Sequence, residues 1–130
     1  MAMTTDIRNS MLDSGFGTGA SSGTYVSLHS ADPTTTVATA LANEIAGGSP
    51  AYARKQANFN AAASGAKTLA ANLVFDIQAG DAFGYYALWA VSSGGTQAQF
   101  KGSAALTSAE GAYGSQGTYT ITSLGNIALS

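Results

Sequence analysis

Alternation is the property that most constrains this chain. Between Thr68 and Ile77, the residues Leu69, Ala71, Leu73, Phe75 and Ile77 fall on one face, and Ala70, Asn72, Val74 and Asp76 on the other. A period of two is the mark of a half-buried strand. The same period returns at residues 24–29, where Val26 and Leu28 lie opposite Tyr25, Ser27 and His29. It also runs through residues 51–59 and 84–91. Shorter stretches at 96–102, 104–107, 118–122 and 126–129 continue the pattern. Turn signals separate them: Asp32-Pro33, Ala79-Gly80, Gly94-Gly95 and the glycine-rich residues 111–117. About eight short strands without crossover helices predict an all-β fold, an antiparallel β-sandwich or jelly roll, with a closed barrel as the nearest rival. The expected core is Val26, Leu28, Phe59, Leu69, Leu73, Phe75, Ile77, Leu88, Phe100, Leu106, Ile121 and Leu129.

One segment follows a different period. Residues 3–12 predict a short helix: Thr4 or Thr5 can cap it, Asp6 lies in its first turn, and Met3, Ile7 and Met11 recur at a spacing of four. Gly15, Gly17, Gly19 and Gly23, with Ser21 and Ser22 among them, then predict a flexible connector. The chain therefore divides into a helix and connector over 1–23 and a β-sandwich domain over 24–130. Residues 35–48 read as a long loop with helical content.

Composition narrows the function. Only 9% of the 130 residues are charged, against roughly 25% in a typical soluble domain. Ala, Ser, Thr and Gly (26, 15, 14 and 16) make up 71 residues. So few charges protect poorly against association, which fits a surface occupied by neighbours. The five basic residues are scattered, so no nucleic-acid groove is expected. No apolar run is long enough to insert in a membrane, and the N-terminal residues lack the layout of a signal peptide. The absence of cysteine removes disulfides, thiol nucleophiles and cysteine-ligated zinc.

Catalytic chemistry finds little footing. His29 is the single imidazole, and a Ser-His-Asp arrangement would need it, with Asp32 as its neighbour. No serine stands in a G-x-S-x-G elbow. Asp76 and Asp81 flank a turn without the ligand spacing of a calcium loop, and they read as an ordinary polar turn. The glycine clusters lack a phosphate-loop lysine. No catalytic residue, metal or cofactor is expected. The interaction candidates are apolar: Ile7 and Met11 on the helix, and Tyr85, Tyr86 and Trp89 on one aromatic strand, which could face a subunit or a sugar ring.

Three segments carry a resemblance. They are Tyr25-Val-Ser-Leu-His-Ser-Ala-Asp-Pro33, Asn43-Glu-Ile-Ala-Gly-Gly-Ser-Pro-Ala-Tyr-Ala-Arg54 and Gly84-Tyr-Tyr-Ala-Leu-Trp-Ala-Val-Ser-Ser-Gly-Gly95. In that order they resemble a family of small tailed-bacteriophage virion proteins labelled tail fibre or minor tail proteins. Ser49-Pro50 interrupts the usual step into Tyr52, and Ala87 and Ala90 stand where the family often has Gly and Asp. The resemblance implies a non-enzymatic building block of a phage particle, assembled in the bacterial host cytoplasm and residing in the virion. Tail association is the first expectation. A capsid decoration protein on the head and a carbohydrate-binding module are the alternatives. Expected partners are other virion proteins of the tail or the major capsid, further copies of the chain, by analogy as a trimer, and a host-surface glycan. The helix is expected to dock on a neighbouring subunit, and removing residues 1–23 to leave the β-domain folded.

Overall fold

The computed structural model describes residues 1–129; Ser130, the last residue of the expected β-domain, lies outside the described residues. Helix α1 (Thr5–Phe16) is followed by strands β1 (Tyr25–His29), β2 (Lys55–Gln56), β3 (Ala66–Lys67), β4 (Leu73–Ile77), β5 (Phe83–Trp89), β6 (Phe100–Glu110), β7 (Gly117–Ile121) and β8 (Ile127–Ala128). Helix α2 (Val37–Asn43) lies between β1 and β2. One sheet has the order β2-β1-β5-β6; β3 pairs with β8, and β4 with β7. Every pairing is antiparallel.

The alternating sequence explains the layers. Leu73, Phe75 and Ile77 of β4 point inward, and Val74 between them is exposed. They meet Val26 and Leu28 of β1, Tyr86 and Leu88 of β5 and Ile121 of β7 in one apolar cluster. The four-stranded sheet thus faces the β4–β7 ribbon across a shared core, a sandwich-like arrangement. Burying each such large side chain contributes about 1.5–3 kcal/mol. Strand β5 is buried on both faces, because α2 covers the side away from this core. There Ala87 and Trp89 pack with Ala40, and Val37, Val91 and Phe100 close around them.

Several boundaries differ from expectation for local reasons. Residues 51–59 are not one strand; only Lys55–Gln56 pairs with β1, because the flanking side chains Tyr52 and Arg54 turn into polar contacts beneath the sheet. Residues 96–107 do not form two strands. A capped 3-10 turn at Gln97–Gln99 leads into the single eleven-residue β6. Alanines at 38, 40 and 42 favour α2 in what reads as a loop. Leu129 is exposed rather than core, since β8 ends at Ala128 on a two-residue partner. Leu69 and Leu106 are half-buried against the core, and Phe100 is half-buried on the Trp89 side.

Candidate functional site

Three distant segments converge under α2. Arg54 is buried and grips Glu44 in a bidentate pair, with Nε donating to Oε2 at 2.9 Å and Nη2 to Oε1 at 2.8 Å. Its Nη1 donates to the carbonyls of Val91 (3.1 Å) and Gly94 (2.8 Å). Its guanidinium also lies 4.0 Å above the Trp89 ring. Gly95 is needed beside it: its φ is +134°, and a Cβ there would come within 2.9 Å of the indole. The Tyr52 hydroxyl donates to Glu44 (2.8 Å) and accepts from the Leu28 N–H (3.1 Å). Burial, and secondarily the Glu44 charge, push the Tyr52 phenol above its ordinary range.

The second half of the network runs through His29. Its Nδ1 lies 2.7 Å from Asn43 Oδ1, while Asn43 Nδ2 donates to the Asp32 carbonyl at 3.1 Å. Nδ1 therefore carries the imidazole proton. Indole N–H can only donate, so Trp89 Nε1 gives its hydrogen bond to Ser27 Oγ at 2.8 Å. Ser27 then donates to His29 Nε2 at 2.6 Å. Desolvation, the largest influence, holds His29 below its ordinary pKa, so the ring is neutral.

Serine, histidine and asparagine in this order have the connectivity of a nucleophile, base and orienting group. The partner is Asn43, not Asp32, whose carboxylate instead accepts from the Thr34 N–H at 2.8 Å. Ser27 and His29 have no exposed surface, and Ser27 Oγ is already occupied by Trp89. The arrangement fastens β1 to β5 and to the end of α2; no reacting carbonyl has a path to it. Asn43, Glu44 and Arg54 are absent from the interaction candidates read in the sequence. Their signal was the second of the three resembling segments, which carries all of them.

The aromatic candidates are corrected by the same packing. Trp89 is 0% exposed, stacked on Phe100 at 4.7 Å. Tyr86 is buried and donates to the Leu124 carbonyl at 3.0 Å. Neither offers a ring to a sugar or a subunit. Tyr85 is half-buried, between His29 and Ala105 in register. Among the described residues no cluster of three His, Asp or Glu side chains gathers as a metal site, and no helix is long and apolar enough to cross a membrane.

Helix α1 presents the remaining candidates. Thr4 caps it by accepting from the Ile7 N–H, and it runs past Leu12 to Phe16 before Gly17 (φ +76°) ends it. A side chain at Gly17 would overlap the Ser22 backbone. The inward face is largely polar. Asn9 accepts from the Gly65 N–H (2.9 Å), and Asp13 accepts from Lys67 Nζ (2.7 Å) and the Ala62 N–H (2.8 Å). Leu12 is buried between them, and Lys67 itself has no exposed surface. The Lys67 ammonium, followed by the Ala62 N–H, holds the Asp13 carboxyl below the usual carboxylate range. The connector is bound rather than loose: Ser22 donates to the Ala57 carbonyl (2.6 Å), Thr24 to that of Phe16 (2.7 Å), and the Gly19 N–H to that of Phe59 (2.9 Å). Met3, Ile7 and Met11 face outward, at 40%, 53% and 48% exposure. The helix thus carries apolar residues on both sides, Leu12 and Phe16 inward and this stripe outward.

The family model of podophage GP4 fiber I protein gp80 matches residues 2–125. The chain belongs to this family. It is a phage fibre structural protein. The fiber I match takes in α1 with its outward stripe, the Arg54–Trp89–His29 network and both layers of the sandwich. No curated protein matches the chain, and no solved structure does.

Proposed function

We propose that the chain is a non-enzymatic, tail-associated component of a phage virion, assembled in the host cytoplasm, and that α1 seats it on a neighbouring virion protein. The observation that carries this reading is the Met3–Ile7–Met11 stripe. It stays exposed although the opposite face of the same helix is clamped by Asp13 and Lys67. A helix held from behind in this way presents a fixed apolar ridge, as helix-in-groove docking requires. The fibre family favours the tail over the head, and the burial of Tyr86 and Trp89 leaves Tyr85 as the one half-exposed ring of the three aromatic candidates.

Removing residues 1–23 is the wrong test, because it would strip Lys67 of its carboxylate and uncover the core at Phe16. The paired substitution Ile7→Asp and Met11→Asp leaves those contacts in place. We expect phage carrying it to produce folded protein that is missing from purified particles by immunoblot. Wild-type incorporation would refute docking through α1. Gold-tagged antibody on intact particles tests the location: label on the tail supports the reading, and label spread over the head would replace it with capsid decoration.

A further inference from the structure

Sulfur is confined to one end of the molecule. The chain has no cysteine, and its three methionines are Met1, Met3 and Met11. All of them are exposed. Methionine is a ready filler of irregular cores, yet neither apolar cluster contains one; both are built from aliphatic and aromatic side chains. The other side chains most open to peroxide-type oxidants are shielded. Trp89 and His29, the single indole and the single imidazole, have no exposed surface.

The helix that carries the sulfur is held without it. Thr4 caps α1, Asn9 accepts from the Gly65 N–H, Asp13 accepts from Lys67, and Leu12 is buried beneath. Met3 and Met11 stand on the outward face, one turn to either side of Ile7. A change of chemistry at their thioethers therefore alters the ridge and spares every contact that fixes its direction. A sulfoxide turns a flexible apolar side chain into a polar one. In water that oxygen is solvated. Pressed into an apolar groove it would be a buried acceptor without a donor, which is costly.

We infer that Met3 and Met11 form an oxidation site that controls docking: peroxide converts both thioethers of the free chain to sulfoxides, and the oxidised ridge no longer seats on its neighbour. The sulfur lone pair attacks one peroxide oxygen, and the S–O bond forms as the O–O bond breaks. The proton on the transferred oxygen passes to the departing hydroxide, giving water; sulfur is oxidised and peroxide reduced. Seated copies are shielded by the partner that covers the ridge, so the site acts on chains awaiting assembly. Enzymatic reduction of methionine sulfoxide makes the block reversible. The inference rests on the docking role of α1 and adds the chemistry that turns docking off.

The test begins with the purified full chain in dilute hydrogen peroxide. Peptide mapping by mass spectrometry should find one added oxygen on each of Met3 and Met11, with the far-UV spectrum and the urea midpoint unchanged. A lowered midpoint would show that the methionines support the fold and would overturn the inference. The amides of Met3→Gln and Met11→Gln place a polar oxygen where the sulfoxide would. Phage carrying both should make folded protein that is missing from purified particles by immunoblot. Phage carrying Met3→Leu and Met11→Leu should incorporate the protein normally. They should still do so in peroxide-treated hosts, where wild-type incorporation falls relative to other virion proteins. Normal incorporation of the Gln pair, or equal peroxide sensitivity of the Leu pair, would refute the oxidation site. Should the Gln pair fail to fold, peroxide applied to intact particles decides: Met3 and Met11 should be protected relative to the free chain, and equal oxidation in both would sink the inference. The Ile7→Asp and Met11→Asp phage keeps the two readings apart. Exclusion of its protein with entry of the Gln pair leaves docking standing and removes only the oxidation site, whereas entry of the Asp pair removes docking itself.

Discussion

The two edges of the main sheet end in opposite ways. Strand β2 is two residues long, and the chain that continues it is paired on its outer side: the Ala70 N–H donates to the Asn58 carbonyl (2.7 Å) and the Asn60 N–H to that of Thr68 (2.9 Å). The segment read in the sequence as a loose tether binds the inner side of the same stretch, where Ser22 donates to the Ala57 carbonyl and the Gly19 N–H to that of Phe59. Strand β6 is more than five times as long and has no strand paired to its far side among the described residues. One chain thus closes one edge with its own residues 68–70 and leaves the other unpaired.

The comparison can be broken from the closed side first. Glu44→Ala would leave Arg54 buried without its carboxylate at the start of β2, a loss of about 3–5 kcal/mol. Urea denaturation should show it as a lowered midpoint, and an unchanged midpoint would mean that the pair does not hold β2 in place. A smaller effect is expected from Ser22→Ala. Removing its bond to Ala57 should cost about 1 kcal/mol, and faster exchange confined to the amides around β2 would localise the damage. At the open edge, Ala105→Lys should change stability by no more than about 0.5 kcal/mol, because Ala105 is exposed. A large loss of stability there would mean that β6 is covered from within.

The centre of the sheet adds a pH dependence. His29 is held below its unfolded value of about 6.5, chiefly by desolvation. The unfolded chain therefore binds the proton more readily than the folded one. Its contribution is fully present above that value and is lost as pH falls from there through the folded pKa. Stability measured by denaturation should decline as pH falls below about 6.5, and His29→Gln should flatten that slope. An equal slope in the variant would assign the titration elsewhere.

Much of the sandwich was legible because alternation and burial coincide. Leu73, Phe75 and Ile77 needed no information beyond their own spacing. Other features depended on residues far apart in the chain. Alternation alone left one face of the aromatic strand free, and nothing near Trp89 in the sequence announces that α2, Phe100 and Arg54 would cover it. The helix shows the same limit from the other side. Spacing marked Met3, Ile7 and Met11 as one face, but its opposite face is fixed by Asn9 and Asp13, whose partners at Gly65 and Lys67 lie more than fifty residues away. Residues 51–59 alternate well and still form little strand, because Arg54 gains more from Glu44 and the Gly94 carbonyl than from a place on the sheet surface.

The clamp on α1 has a consequence for the order of events during synthesis. The helix leaves the ribosome ahead of the strands, yet a helix of twelve residues is marginal alone in water. Its anchor, Lys67, emerges 54 residues after Asp13. Until then the ridge of Met3, Ile7 and Met11 has no fixed direction. A copy truncated before Lys67 therefore carries the sequence of the ridge without the contact that fixes its direction.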